Sequence, residues 1–331
     1  MSWSDLSAEQ QSALYQAWQA GQTPQSLASR SGMKATTLER RLRERRQTNG
    51  DKRQMLEMPT MSAGGRMPRA GQTCVVANPT DAHGVYCDPY AWELALKLIE
   101  ALKPDDITWG NDAVDFGVIS NYARISALPT LSEEKRDEQR RRQELGQAAP
   151  KAKIWWVAGN HDLERYQRYI WNRAGEMADD PDMQFPNYMK LPGGVLIEAF
   201  EAGNTLRVIH GTYVRKQPGA SVNLEIFDNP LNRKGRLIRS VMSGHVHRFA
   251  HVKYDHGIEG LECGCLQNLR PEYLKEQRRA SNWSHGIGAA RYGRDWSQII
   301  PLPFFARGGY LCAYLEGKEY RVKITEAYSG F

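Results

Sequence analysis

The sequence has few cysteines and no long apolar run, which excludes two classes of protein. Its 331 residues include five cysteines, an odd number that does not form the disulfide framework of a small secreted domain. Cys263 and Cys265 lack the second thiol pair that a zinc site of this type needs, so we interpret them as strand residues. No apolar run reaches the roughly 18 residues that span a bilayer, and residues 1–5 do not resemble a signal sequence. We therefore expect a cytoplasmic protein.

The chain also has little excess charge after its first 70 residues. It carries 44 Lys+Arg against 38 Asp+Glu, a formal net charge of +6. Residues 1–70 hold 11 basic and 6 acidic side chains, a net of +5, which leaves 33 against 32, a net of +1, for residues 71–331. The basic excess thus belongs to the N-terminal part, and the chain length favours one large domain with a small one.

The first 46 residues are predicted to form three short helices. Ser7 and Gln10 have the spacing of a capping box for the first helix. Thr23 followed by Pro24 indicates the start of the second helix, and Gly32 indicates its end. A third helix, rich in basic residues, follows this glycine. We therefore assign residues 1–46 to a small all-α domain.

This layout, a short helix, a glycine turn and a basic helix, is typical of a helix-turn-helix. Residues 25–38 resemble the DNA-binding domains of resolvases and of small phage or transposase proteins. A helical appendage that contacts another protein is the alternative. The residues expected to contact nucleic acid are Lys34, Arg40, Arg41, Arg43 and Arg45.

After this domain, residues 47–71 show neither a helical nor a strand period, so we expect a linker. Residues 72–331 alternate apolar runs with helical patterns, which indicates an α/β domain. Within it, residues 131–153 carry a dense run of charges of both signs. Such a run predicts a solvated helix; the alternative is an insertion beside the active site that touches a polyanionic substrate.

Five apolar runs of the large domain each lead into residues that are able to bind a metal ion. The runs cover residues 74–77, 107–109, 154–158, 206–209 and 239–242. The residues that follow them are Asp81 and His83, then Asp112, Asn160, His210, and finally His245 and His247. Ligand sites of α/β sheets lie at the carboxyl ends of strands. A pair of divalent ions needs a carboxylate that bridges them, and Asp112 occupies the middle of the series.

The ordered motifs Asp-x-His, Asp-x-x-Asp, Gly-Asn-His-Asp, His-Gly and Gly-His-x-His resemble those of the calcineurin-like metallophosphoesterase family over roughly residues 72–325. The resemblance implies a β-sandwich flanked by helices, here preceded by the helix-turn-helix domain. It also implies that one ion is held by Asp81, His83, Asp112 and His247, and a second by Asp112, Asn160, His210 and His245. By the same resemblance His161 donates to the phosphate or leaving oxygen, and Asp162 and Asp115 orient their neighbours.

One position departs from the family pattern, because Asn111 precedes Asp112 where the family usually has glycine. Asparagine adopts a left-handed backbone more readily than most residues. We therefore expect the departure to affect the conformation of the local turn and to leave the set of metal ligands almost unchanged.

The resemblance implies hydrolysis of a phosphate ester at two divalent metal ions. Mn²⁺ is the expected metal, and Fe and Zn also suit mixed nitrogen and oxygen ligands. Together with the helix-turn-helix, it favours a DNA-directed phosphodiesterase, similar to the nuclease subunits of double-strand-break-repair complexes in this family. A bacteriophage or mobile-element protein is typical of that combination. The alternatives are a phosphomonoesterase or cyclic-nucleotide phosphodiesterase, and a DNA-binding regulator whose phosphoesterase domain is a scaffold.

Overall fold

The computed structural model of the protein describes residues 6–19, 22–39, 41–42, 63–120, 128–192, 196–232, 234–271 and 282–325. Contacts divide the chain into two units, residues 1–61 and 62–331. Of the basic residues predicted to contact DNA, Arg40, Arg43 and Arg45 lie outside the described ranges, whereas Lys34 and Arg41 are exposed on the first unit.

The described part of the first unit is helical. Helix α1 (Ala8–Gln19) begins after Ser7, whose hydroxyl accepts from Gln10 N at 3.2 Å while Gln10 Oε1 accepts from Ser7 N at 2.8 Å. Helix α2 (Pro24–Ser31) begins after Thr23 and ends at Gly32, which has a left-handed φ of 66°. Residues 35–39, 41 and 42 are also helical. An apolar cluster forms the core of this unit, from Leu6, Leu27, Ala28, Met33, Leu38 and Leu42.

The large unit contains strands and helices in alternation. Its helices are α3 (Pro89–Leu102), α4 (Leu131–Ala148), α5 (Arg165–Arg173), α6 (Phe185–Tyr188) and α7 (Ala220–Asp228). Its strands are β1 (Cys74–Asn78), β2 (Asp106–Gly110), β3 (Lys153–Val157), β4 (Leu196–Ile197), β5 (Ala199–Ala202), β6 (Leu206–Ile209), β7 (Ser240–Ser243), β8 (Phe249–Tyr254), β9 (Ile258–Cys263), β10 (Gly286–Tyr292), β11 (Ser297–Pro303), β12 (Phe305–Arg307), β13 (Tyr310–Leu315) and β14 (Lys318–Lys323). None of the helices in the described ranges combines the length and apolar character that a bilayer crossing needs.

Two sheets pack face to face to form the core of this unit. One has the strand order β11-β10-β1-β2-β3-β4 and the other the order β5-β6-β7-β9-β8, with a smaller sheet of β12, β13 and β14. Val76 and Val157 from the first sheet share one buried cluster with Val208, Met242 and Leu261 from the second. Each such side chain contributes about 1.5–3 kcal/mol on full burial. Helix α3 contacts β1 and β10, and α7 contacts β7 and β9, so the predicted mixed α/β architecture, a sandwich flanked by helices, is present.

The structure places residues 63–71, predicted as the end of the linker, in the large unit. Gly64 N donates to Ala199 O at 3.0 Å, and Gly64 O accepts from Glu201 N at 2.8 Å. Arg66 Nε donates to the buried carboxylate of Asp106 at 2.5 Å. A Cβ atom on Gly65 would lie 1.8 Å from Glu201 O. Only glycine avoids this steric clash. The segment pairs with β5 through its backbone, and backbone pairing leaves no hydrophobic period in the sequence.

Helix α4 is not the fully solvated helix that its charge run predicts. Thr130 caps it, and Glu133 completes a capping box. One face of the helix is buried and carries Glu134, Glu138 and Leu145. Trp109 Nε1 of β2 donates to Glu138 Oε1 at 3.1 Å, and the helix contacts α3. Charge density along a sequence does not reveal which charged residues have partners on a neighbouring element.

Candidate metal centre

The predicted metal ligands follow five strands whose carboxyl ends point the same way within each sheet. β1, β2 and β3 are parallel neighbours, and β6 and β7 are also parallel. The loop after each of these strands carries one or two of the ligands. Because the two sheets pack face to face, these loops meet at one edge of the sandwich.

The backbone at most of these ligands is left-handed. The φ angles are 51° at Asp81, 51° at His83, 62° at Asp112, 70° at His245 and 56° at His247. A residue other than glycine in this region costs about 1–3 kcal/mol, and such residues cluster at functional sites. The bends turn successive side chains back toward a common point, which a regular strand, with alternate side chains on opposite faces, does not do.

Three small or tolerant residues make these bends sterically possible. Asn111 has a φ of 46°, and its Nδ2 donates to Asn78 Oδ1 at 3.0 Å, so asparagine adopts the left-handed backbone that the turn requires. A Cβ on Gly159 would lie 2.1 Å from Asp112 Oδ1, and one on Gly244 would lie 2.3 Å from Asp81 Oδ2. Both glycines allow a ligand carboxylate to approach the neighbouring backbone.

The first group of ligands consists of Asp81, His83 and His247, all buried. His83 Nε2 lies 3.1 Å from His247 Nε2, and His247 Nε2 lies 3.2 Å from Asp81 Oδ1. The Asp81 carboxylate is held in place because it accepts hydrogen bonds from Thr80 Oγ1 at 2.6 Å and from His245 N at 3.0 Å. Two ring nitrogens and a carboxylate oxygen therefore face one point.

The second group consists of Asp112, His210 and His245, with Asn160 beside them. Its centre is His210 Nε2, which lies 2.8 Å from Asn160 Oδ1, 3.2 Å from Asp112 Oδ2 and 3.1 Å from His245 Nδ1. Asp112 also groups with His83 and His161. The Asp112 carboxylate thus lies between the two groups, as a carboxylate that bridges two ions has to lie.

The hydrogen bonding of His83 suits a metal ligand. His83 Nδ1 lies 3.1 Å from Asp115 Oδ1. Burial opposes the ionisation of Asp115, but hydrogen bonds from His161 and His83 outweigh it and hold the pKa of this carboxyl well below its usual range. Burial lowers the pKa of His83 itself, so the ring is neutral with its proton on Nδ1. Its Nε2 therefore directs a lone pair into the site, as a metal ligand does.

The electrostatics of the second group also favour a cation. Burial opposes the ionisation of Asp112, but the positive charge on His210 and His161 keeps its pKa well below the usual range. Conversely, burial lowers the pKa of His210, but Asp112 and other carboxylates outweigh it and raise that pKa to about 9. The buried carboxylate thus requires a positive charge beside it, and a bound metal ion would supply that charge in place of the proton on His210.

His161 lies at the rim of the site with 27% of its side chain exposed. Its backbone N donates to Asp112 Oδ1 at 2.7 Å, and its Nδ1 lies 2.8 Å from Asp115 Oδ1. Arg165 Nη2 lies 3.2 Å from its Nε2.

Asp162 is placed differently, because its Oδ1 accepts from Gly159 N at 2.8 Å and from Leu163 N at 2.6 Å. Asp162 therefore shapes the turn that presents Asn160 and His161, while Asp115 orients the two histidine rings.

Two residues that the sequence reasoning did not single out support the site. Glu134 Oε2 accepts from the backbone N of Asp115 at 2.8 Å and of Phe116 at 2.6 Å, which fixes the loop that holds Asp115. Arg165 donates to the Asp115 carbonyl and lies 3.4 Å from its carboxylate. The spacing of Arg165, four residues after His161 at the start of a helix, is a signal that pattern reading could have used.

Comparisons with known proteins give only remote similarities. No family model and no characterised protein sequence matches the chain. Among solved structures, zinc-bound Vps29 from Entamoeba histolytica is 12% identical with a TM-score of 0.37, covering 75% of this chain and 98% of that one. Vps29 from Chaetomium thermophilum is 10% identical with a TM-score of 0.42, covering 77% and 98%. A dimetal phosphatase from Danio rerio is 9% identical with a TM-score of 0.36, covering 69% and 95%. These values are too low to assign a function, so the functional argument rests on the site.

Proposed function

We propose that the protein is a metal-dependent phosphoesterase of the calcineurin-like type, which hydrolyses phosphate esters at two divalent metal ions. The observation that carries the proposal is the position of Asp112 between two groups of candidate ligands, of which the first is buried and the second partly buried. The proposed ligands are Asp81, His83, Asp112, Asn160, His210, His245 and His247.

The ligand charges suit a phosphate substrate. Two divalent ions bring a charge of +4, and the carboxylates of Asp81 and Asp112 reduce it to +2, since the imidazoles and the Asn160 amide are neutral ligands. Bound ions of this kind neutralise charge on phosphoryl oxygens and lower the pKa of water. A carboxylate in place of Asn160 would remove part of the charge that attracts the substrate.

His161 is proposed to act on the substrate. Because Asp115 holds its Nδ1, His161 presents Nε2 to the rim. Burial opposes protonation of the ring, but Asp112 and Asp115 outweigh it and raise the pKa of His161, and the protonated ring is able to donate from Nε2 to a phosphate or leaving oxygen. Arg165, beside this nitrogen, adds a second donor for the same oxygen atoms. Asp115 and Glu134 would act through position, by holding the rings and the loop.

We further propose that the substrate is a phosphodiester of DNA, that Mn²⁺ is the preferred metal, and that the N-terminal helical unit binds the DNA. The support is the net charge of +5 in residues 1–70, the exposure of Lys34 and Arg41 and the glycine turn at Gly32. The basic residues Arg40, Arg43 and Arg45 are part of the same hypothesis.

The test is to load the purified protein with Mn²⁺, Zn²⁺ or Fe²⁺ and to measure hydrolysis of several phosphate esters. Bis-p-nitrophenyl phosphate, plasmid, linear duplex and single-stranded DNA test the diesterase, and p-nitrophenyl phosphate and cyclic nucleotides test the alternatives. Cleavage of DNA and of the diester supports the nuclease proposal. Cleavage of the monoester or the cyclic nucleotide alone supports the alternative enzymes, and DNA binding without any hydrolysis supports the regulator. Asp112→Asn serves as the inactive control.

A further inference from the structure

A cleft of about 550 Å³ lies next to the proposed metal centre. It meets the centre at Asn160, and one of its walls is formed by helix α5. The residues of this wall are Arg165, Arg168, Tyr169, Asn172 and Arg173. The volume falls in the range of roughly 300–1,000 Å³ that is typical of small-molecule sites, and is larger than the transferred phosphate needs.

The wall of the cleft is one stripe of α5. Its residues stand at i, i+3, i+4, i+7 and i+8 counted from Arg165, a spacing that puts them on the same helical face. The opposite face carries Tyr166, Gln167 and Ile170, which are buried. At a rise of about 1.5 Å per residue the stripe extends for about 12 Å. The sequence of α5 thus directs its arginines away from the core and along the cleft.

The described lining of the cleft is positively charged, and two of its arginines, Arg168 and Arg173, are exposed. Among the described lining residues Arg165, Arg168 and Arg173 contribute +3 and Glu164 contributes −1, which leaves +2 before Asp115, the partner of Arg165, is counted. Arg165 is fixed against Asp115. Arg168 pairs with Glu164, but the two side chains are 66% and 41% exposed, and an exposed pair of this type contributes little to stability. The Arg168 guanidinium is therefore able to exchange Glu164 for a phosphate.

We infer that this cleft binds a second phosphate group of the substrate, adjacent to the one that is hydrolysed. The inference rests on the proposed phosphoesterase function and names its substrate class: nucleotides or oligonucleotides with two or more phosphates. A guanidinium group is able to donate two parallel hydrogen bonds to two oxygen atoms of one phosphate. The ring of Tyr169, 37% exposed on the same stripe, offers a surface on which a base or sugar stacks.

Binding of three thymidine nucleotides tests the inference without relying on hydrolysis. The ligands are thymidine 5′-monophosphate, thymidine 3′,5′-bisphosphate and thymidine 5′-diphosphate, titrated by calorimetry against the full-length protein with and without Mn²⁺. We expect at least one of the two-phosphate ligands to bind about tenfold or more tightly than the monophosphate. Preference for the 3′,5′-bisphosphate indicates an oligonucleotide substrate, and preference for the 5′-diphosphate indicates a pyrophosphate-linked one.

Two variants assign the preference to the cleft. The first is the double variant Arg168→Gln/Arg173→Gln. We expect it to bind the two-phosphate ligand and the monophosphate with nearly equal affinity. The matched control is Arg140→Gln, because Arg140 also forms an exposed pair with a glutamate four residues away, Glu144, on another helix. Circular dichroism checks that both variants fold, which the exposed positions favour.

Hydrolysis of thymidine 5′-(p-nitrophenyl phosphate), with and without a 3′-phosphate, separates this inference from the proposed function. Hydrolysis by the wild-type protein with equal affinity for all three nucleotides overturns the second-phosphate site and leaves the function standing. Absence of hydrolysis with a two-phosphate preference that depends on Arg168 and Arg173 overturns the function and supports the site. A preference that survives the double substitution, or that Arg140→Gln also abolishes, contradicts the site.

Discussion

The buried carboxyl of Glu138 is expected to make the stability of the large unit depend on pH. This side chain is fully buried. Its Oε1 accepts from Trp109 Nε1 at 3.1 Å and lies 3.4 Å from Arg142 Nε, whereas Oε2 has no hydrogen-bond partner in the described part of the chain. Burial, which outweighs the attraction of Arg142, raises the pKa of Glu138 from 4.5 to about 7.

The sign of the effect follows from the raised pKa. A carboxyl that binds its proton more tightly in the folded state stabilises the fold fully below its unfolded pKa of 4.5, and this contribution is lost as the pH rises through about 7. The difference between the two pKa values, about 2.5, corresponds to about 3 kcal/mol. At alkaline pH the ionised Glu138 therefore costs the fold about that much.

The substitution Glu138→Gln removes the ionisation and keeps an acceptor for Trp109. We expect the free energy of unfolding of Glu138→Gln, relative to the wild type, to increase by about 3 kcal/mol between about pH 4 and pH 8. Urea unfolding followed by tryptophan fluorescence measures it, with a chelator present because metal binding itself depends on pH. Leu145→Ala, buried on the same helix, is the control, since its loss of about 2–5 kcal/mol is independent of pH. Parallel curves for wild type and Glu138→Gln would refute the reasoning.

Four further predictions concern the site and the N-terminal unit. Asp112→Ala should lose both metal ions by elemental analysis, and retention of two ions contradicts the bridging role. His161→Asn should keep the metal content while turnover falls by about 10²-fold or more; loss of metal instead makes His161 a ligand. Gly159→Ala should weaken metal binding, because its Cβ would lie 2.1 Å from Asp112 Oδ1. A chain that starts at Ser62 should hydrolyse a small chromogenic diester at the wild-type rate and lose salt-dependent duplex affinity; unchanged DNA binding contradicts a DNA-binding role for the helical unit.

The sequence predicts those parts of the fold whose signals are local. Helix α2 is predicted to begin at Thr23 and Pro24 and to end at Gly32, and it spans Pro24–Ser31. The five strands that precede the predicted metal ligands are present, and each is a short apolar run followed by polar residues. Local patterns of this kind consist of the periodicity of apolar residues and the residue types at the ends of elements, and both are visible within a few neighbouring residues.

Features that depend on distant partners could not be predicted in this way. Gly64 pairs with β5, more than one hundred residues later in the chain, and Glu134 holds the loop at Asp115 from another helix. A carboxylate that accepts from two backbone N–H groups leaves no pattern in its own neighbourhood, because its partners are main-chain atoms of any residue type. The helix that carries it therefore has the sequence of a solvated helix, although one of its faces is buried.

The left-handed ligands explain why the site needs the whole sandwich. Local preference disfavours such a backbone at His83, His245 and His247, where each residue costs about 1–3 kcal/mol. No single loop offsets this cost, because the hydrogen bonds that hold the bends come from other loops: His83 N donates to Asp112 O at 2.9 Å, and His245 N donates to the Asp81 carboxylate at 3.0 Å. Each loop therefore stabilises the strained conformation of another. Ligands from both sheets reach one point only when the two sheets are packed, so the geometry of the centre forms together with the core.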